Sequence, residues 1–279
     1  MAKYDGPFEG VPDHLYPLLV QWVTGNMPRL HYQMSVYPPG VTAYRAMAAA
    51  LRTSFDDRRY PDGRTVERGF HAYISEDPFR LLNAASWVLR HVLNNDNPGF
   101  ETANQLDGIL ATAGSVWEVK YDQHFYLSKR VTEEMALAGD QAMSSRDRAS
   151  EHLKRAWREV YSKERNPGSG YSEAVKAVEA VAIPVVSPKN PNATLGTVIA
   201  EMRNAPQNFP VGLFTKDPAA QTQAFIGELA LLWQGQLRHG DGNPDPLTPI
   251  DVSQEEAEAA LHLAIQLVKW FRDGTIRRV

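Results

Sequence analysis

Apolar residues recur at intervals of three and four through most of this sequence, and this spacing limits the folds open to the chain. Residues at these intervals share one face of an α-helix. The segment near the carboxyl end is the clearest example, because Ser253 and Glu256 form a capping box before an apolar stripe made of Ala257, Ala260, Leu261, Ala264, Ile265, Val268 and Phe271. The sequence therefore predicts a mainly α-helical protein.

The amino-terminal part follows the same pattern with more interruptions. Helices are predicted after Asp13 and Thr42, from Asp77 with Pro78 in the first turn, and over residues 103–113. Residues 56–76 are polar and contain Pro61 and Gly63, which predicts a long loop. This region is expected to be a smaller helical unit.

The periodicity changes to two at residues 116–128. Trp117, Val119 and Tyr121 alternate with polar residues, and a second alternating run follows Asp122 and Gln123. Alternation in two short runs around a polar turn is typical of a β-hairpin. We predict one short hairpin near 116–128, which also separates a region 1–128 from a region 129–279.

The region 129–279 is predicted to be a helical bundle. Its longest helical pattern begins after Thr132 and continues to residues 166–168, and further helices are expected over 171–183 before Pro184, from Thr194, from Asp217 to Leu237, and after Ser253.

Charge and composition exclude several classes of protein. A net charge of −4 argues against a protein that wraps nucleic acid over its whole surface, since such binding needs many phosphate-neutralising cations. No apolar run approaches the roughly 20 residues of a membrane span, and the amino terminus does not resemble a secretory signal. A chain without cysteine has no disulfide and no thiolate site. We expect a cytoplasmic protein with no membrane partner.

Metal and cofactor motifs are not found in the sequence. The eight histidines include no pair at a spacing of three or four, and no glycine-rich phosphate loop follows a predicted strand. We expect no metal and no cofactor.

Two groups of polar residues are candidate binding sites. Arg148, His152 and Arg155 lie on one face of the predicted long helix, and a cationic stripe beside an aromatic residue can hold the phosphate and base of RNA. Glu173, Lys176 and Glu179 share a polar face of the next helix. For both groups the structural alternative is a hydrogen-bonded packing residue or an ordinary charged surface.

The third candidate is the end of the helix predicted to stop near Leu237. Arg238 and His239 precede Gly240, and cations followed by glycine are typical of a helix terminus. A histidine beside a guanidinium is also suited to metal-free phosphodiester cleavage, in which the imidazole moves a proton and the cation stabilises the charged phosphorane. Arg238 and His239 are therefore the candidate catalytic residues.

Four segments carry a resemblance to known proteins: "HLKRAW" at 152–157, "YSEAVKAVEAV" at 171–181, "ATLG" at 193–196 and "RHG" at 238–240. In this order they resemble uncharacterised bacterial and phage proteins related to abortive-infection proteins of the AbiJ type, whose carboxyl-terminal part is a HEPN-like helical domain. The resemblance implies a dimeric HEPN-like bundle and, in active members, a metal-independent endoribonuclease. Active members separate the arginine and histidine by several residues, whereas Arg238 and His239 are adjacent here.

Two functions are consistent with these observations. The first is an abortive-infection type protein that binds or cleaves RNA without metal, as a homodimer. The alternative is a non-catalytic HEPN-like scaffold that binds a host or phage protein, with "RHG" serving only to end a helix.

Overall fold

A computed structural model describes residues 7–29, 39–55, 63–94, 96–212, 217–239 and 252–279. These residues form eleven α-helices and one two-stranded antiparallel sheet, which confirms a mainly α protein with a short hairpin. The chain divides into two compact units, Met1–Arg130 and Val131–Val279. The boundary between them is two residues beyond the one predicted after residue 128. Within the described ranges no helix combines the length and apolar character needed to cross a membrane.

The first unit has five helices. They are α1 (Tyr16–Asn26), α2 (Pro39–Ala50), α3 (Gly63–Glu76), α4 (Arg80–His91) and α5 (Asn97–Thr112). Their inner faces bury a core that includes Leu19, Phe70, Leu82 and Leu106, each fully buried.

The prediction of a loop over residues 56–76 is wrong for residues 63–76, which form α3. Residues 56–62 lie outside the described part of the chain. Val66, Phe70 and Ile74 recur every four residues and are fully buried. Three apolar residues on one face are enough to hold this polar segment as a helix, because most helix stability comes from packing of the apolar face.

The predicted hairpin is present as β1 (Trp117–Tyr121) and β2 (Phe125–Lys129), with Trp117 opposite Lys129 and Val119 opposite Leu127. Its turn lies at residues 122–124, where the Asp122 amide donates to the His124 carbonyl. The Trp117 indole donates to the Glu9 carbonyl at 2.8 Å, which fastens the hairpin to the start of the described chain.

The second unit is the predicted helical bundle. Its helices are α6 (Glu133–Met143), α7 (Arg148–Tyr161), α8 (Pro167–Val186), α9 (Leu195–Asn204), α10 (Pro218–His239) and α11 (Gln254–Arg272). α8 packs on α7 and α11 and contributes the fully buried residues Ala174, Ala177 and Val178 to the core. The capping box of Ser253 and Glu256 begins α11 as predicted.

The long helix predicted after Thr132 is two helices. Asp147 caps α7 by accepting from the Ser150 amide at 2.8 Å, so the chain turns between Met143 and Arg148. Because the apolar spacing on the two sides joins into one near-continuous pattern, periodicity does not reveal the break.

The helix predicted over 171–183 is longer at both ends. Asn166 accepts from the Ser169 amide and Pro167 occupies the first turn, so "NPG" begins α8 and does not end the preceding helix. Pro184 lies inside α8, and the helix continues for two more residues, to Val186. A proline this close to the carboxyl end removes only one backbone hydrogen bond of the final turns.

Candidate functional site

The candidate site lies where α7 and α8 approach closely. Gly170 permits the approach, since a Cβ atom at this position would lie 2.6 Å from Val160 Cγ2. Arg155 and His152 lie about one and a half and two turns before Val160 on α7, and the close packing brings them opposite the beginning of α8.

Glu173 is the centre of the site. Its Oε2 atom accepts from Arg155 Nε at 2.7 Å and lies 2.8 Å from His152 Nδ1, while its Oε1 atom accepts from Lys176 Nζ at 2.8 Å. The Glu173 side chain is 13% exposed, whereas those of Arg155 and Lys176 are 42% and 48% exposed. We call these four residues the Glu173 cluster.

Hydrogen bonding determines the charge state of Glu173. Partial burial favours the neutral carboxyl, but the hydrogen bonds from Arg155, Lys176 and His152 outweigh it and lower the pKa of Glu173 to about 2. The carboxylate is therefore ionised at neutral pH. Two cations against one carboxylate leave an excess of positive charge.

His152 Nδ1 has two contacts that require opposite protonation. Arg155 Nη2 lies 2.8 Å from Nδ1 and can donate only to an unprotonated nitrogen, whereas Glu173 accepts only from a protonated one. When Nδ1 donates to Glu173, the neutral imidazole leaves Nε2 as an acceptor. This is the carboxylate–histidine arrangement that general bases use.

Glu179 lies six residues after Glu173 on α8 and makes a different contact. Its Oε1 atom accepts from the Leu195 amide at 2.7 Å, in the first turn of α9. Burial raises the pKa of Glu179, and the hydrogen bond from the Leu195 amide and the electrostatic effects of His152 and Lys176 only partly oppose this. A carboxyl group therefore occupies the amino end of α9.

Trp233 of α10 packs on the same turn of α9. A Cβ atom at Gly196 would lie 2.9 Å from Trp233 Nε1, so glycine is required for this contact. The segments containing "HLKRAW", "YSEAVKAVEAV" and "ATLG" thus meet around Glu173 and Glu179, and Trp233 links them to α10, which ends at His239.

The other predicted site residues have different outcomes. Arg148 is exposed at the start of α7, and no hydrogen bond among the described residues joins it to the Glu173 cluster. Arg238 and His239 form the last turn of α10, but their side chains lie outside the described part of the structure, as does Gly240. The prediction for this pair stays a prediction.

Sequence reasoning did not identify Glu173 as the central residue. It placed Arg155 with Arg148 and His152 on one helix, and Glu173 with Lys176 and Glu179 on the next, as separate groups. The spacing of Glu173 and Lys176 on one helix is visible in the sequence, but their approach to α7 depends on tertiary packing.

A second histidine contact joins α7 and α11. Tyr161 Oη and His262 Nε2 are 2.6 Å apart, and burial lowers the pKa of His262, which the charge of Glu258 partly opposes. Tyr161 is 3% exposed whereas His262 is exposed, so this contact lies at the edge of the packed core. Among the described residues no group of histidine and acidic side chains could hold a metal ion.

Comparisons with known proteins give no relative. No family model matches the chain, and neither a curated protein nor a solved structure matches it. The function is therefore argued from the site itself.

Proposed function

We propose that this chain is a cytoplasmic, HEPN-like protein of the abortive-infection type that binds RNA and cleaves it without a metal ion. The observation that supports the proposal is the Glu173 cluster, which places a histidine, an arginine and a lysine around one ionised carboxylate. These are the side chains that bind a phosphodiester and move a proton beside it.

Arg155 and Lys176 would bind phosphate. Each uses part of its donor set on Glu173 and is about half exposed, so N–H groups remain for a phosphate oxygen. Glu173 would hold the two cations and the imidazole in position, which reduces the side-chain entropy lost on binding.

His152 or His239 would move the proton of the reaction. A histidine base takes the proton of a ribose 2′-hydroxyl, the oxygen attacks the adjacent phosphorus, and the 5′-oxygen of the next nucleotide leaves with a proton. The products are a 2′,3′-cyclic phosphate and a 5′-hydroxyl. Arg238 is the candidate for stabilising the charged phosphorane. The protein would act as a homodimer.

RNA binding is tested by fluorescence anisotropy with a labelled single-stranded RNA over a series of salt concentrations. We expect Arg155→Gln and Lys176→Gln each to weaken binding and to reduce the salt slope by about one. Lys154→Gln is the matched control, because Lys154 is an exposed cation of α7 that does not bond to Glu173. Equal binding by the variants and the control would contradict the phosphate role.

Cleavage is tested in the presence of a metal chelator by gel analysis of the same RNA. His152→Ala and His239→Ala, measured separately, identify the histidine whose loss abolishes cleavage while RNA binding remains. A parent protein that neither binds nor cuts RNA would contradict the proposal.

The alternative proposal is a non-catalytic scaffold that binds a host or phage protein. Two observations favour it: Glu173 engages the two cations and the histidine at once, and Leu231 is 66% exposed on α10. Ala224 and Gly227 lie on the same exposed face of that helix. If this alternative holds, Leu231→Glu abolishes association with the partner or with a second copy in sedimentation experiments, and no variant affects RNA.

A further inference from the structure

A pocket lies in the carboxyl-terminal unit, at the end of α8. Its volume is about 380 Å³, within the range of small-molecule sites. The polar residues that line it are Ser187, Lys189, Asn190, Glu201 and Arg278. None of them belongs to the Glu173 cluster, and the pocket is independent of the proposed function.

Ser187 gives this pocket a buried donor without a partner. The residue is 3% exposed, and its buried hydroxyl oxygen has no hydrogen-bond partner among the residues that the structure describes. A buried hydroxyl that is not hydrogen-bonded costs free energy, and a ligand oxygen in the pocket would remove that cost.

The remaining donors are held in place before a ligand arrives. Arg278 Nη1 donates to the Val186 carbonyl at 3.0 Å, and its guanidinium lies 5.8 Å from the centre of the Phe209 ring. This leaves most of the five guanidinium N–H groups for other acceptors. Asn190 Oδ1 accepts from the Asn192 amide at 3.1 Å, so the side-chain NH₂ of Asn190 is the group free to donate.

The charges of the pocket identify the ligand class. Lys189 and Arg278 form no ion pair with an acid in the described structure, and Glu201 forms none with a cation. Two cations with the Ser187 hydroxyl and the Asn190 amide provide the donors that a phosphate group needs. Glu201 repels phosphate but accepts from hydroxyl groups, as acidic residues do for ribose in nucleotide sites.

We propose that this pocket binds a phosphorylated sugar, with the phosphate at Lys189, Arg278 and Ser187 and a sugar hydroxyl at Glu201. A free sugar phosphate and a nucleotide both present these groups, and the binding experiment distinguishes them.

Isothermal titration calorimetry of the full chain tests this with ribose 5-phosphate, adenosine 5′-monophosphate, inorganic phosphate and ribose. We expect saturable binding of ribose 5-phosphate, tighter than that of phosphate or ribose alone. Tighter binding of the nucleotide than of ribose 5-phosphate would assign the site to a nucleotide, and the reverse to a free sugar phosphate. Absence of saturable binding by both sugar phosphates would overturn the proposal.

Variants test the assigned contacts. Lys189→Gln should weaken ribose 5-phosphate binding by about tenfold, the usual effect of removing a charged hydrogen bond, and Lys154→Gln should not change it. Glu201→Gln should tighten phosphate binding and weaken that of ribose 5-phosphate. Unchanged affinity in Lys189→Gln, or equal effects of Glu201→Gln on the two ligands, would refute the assignment. Lys189 is exposed and forms no hydrogen bond in the described structure, so this variant should fold normally.

Discussion

Replacing Glu173 with glutamine isolates the charge of the central carboxylate. Glutamine has nearly the same shape, and its single amide oxygen can still accept from one of the two cations, so the change removes the negative charge and leaves most of the packing. The folded pKa of Glu173 is about 2, against an ordinary value of 4.5. A carboxyl group with a lowered folded pKa stabilises the folded state above its unfolded pKa, and this stabilisation is lost as the pH falls towards the folded pKa.

The magnitude follows from the difference in pKa. The full difference corresponds to about 3 kcal/mol. Because Arg155 and Lys176 are 42% and 48% exposed, solvent screening reduces the expected contribution to about 1–2 kcal/mol. Glu173→Gln should therefore lower the free energy of unfolding by about this amount at pH 7. The deficit should shrink between about pH 5 and pH 2.

Urea unfolding followed by tryptophan fluorescence measures the difference at a series of pH values. Hydrogen exchange of the α8 amides assigns the change to the unit Val131–Val279. A variant as stable as the parent at pH 7, or a deficit of the same size at every pH, would show that ionised Glu173 does not stabilise the fold.

Glu179→Gln is the matched control, because the pKa of Glu179 is shifted in the opposite direction. A raised folded pKa means that the folded state binds the proton more tightly, so Glu179 adds stability below its unfolded pKa and loses it as the pH rises through the folded pKa. The Glu179→Gln variant should lose more stability than the parent on acidification, and the Glu173→Gln variant less.

Three further substitutions test packing and hydrogen bonding in the carboxyl-terminal unit. Gly196→Ala should lower stability by about 1–3 kcal/mol, since its Cβ atom would lie 2.9 Å from Trp233 Nε1, whereas Gly227→Ala, at an exposed helical position with open space, should raise stability by about 0.5–1 kcal/mol. Thermal unfolding of the two variants checks this, and a melting temperature lowered equally in both would contradict the close approach of Trp233. Tyr161→Phe should cost about 1–2 kcal/mol because it removes the 2.6 Å contact with His262. An unchanged midpoint in urea would show that this contact does not contribute.

Local sequence signals identified most elements. The capping box at Ser253, the alternation around Asp122 and the spacing of apolar residues gave α11, the hairpin and the bundle, because these features depend on residues close together in the chain. The same local signals failed at α3, where few apolar residues lie among polar ones. They also failed at Asp147, where a cap interrupts a continuous apolar pattern.

The site divides in the same way between sequence and structure. Residue types and local spacing are enough to show which side chains can carry charge and donate protons, and they place His152 and Arg155 on one helix face. The meeting of both residues with Glu173 is a result of tertiary packing, because Gly170 lets α8 approach α7 closely. Which side chains meet across two helices depends on the distance and angle of packing, and these are set by residues distant in the chain.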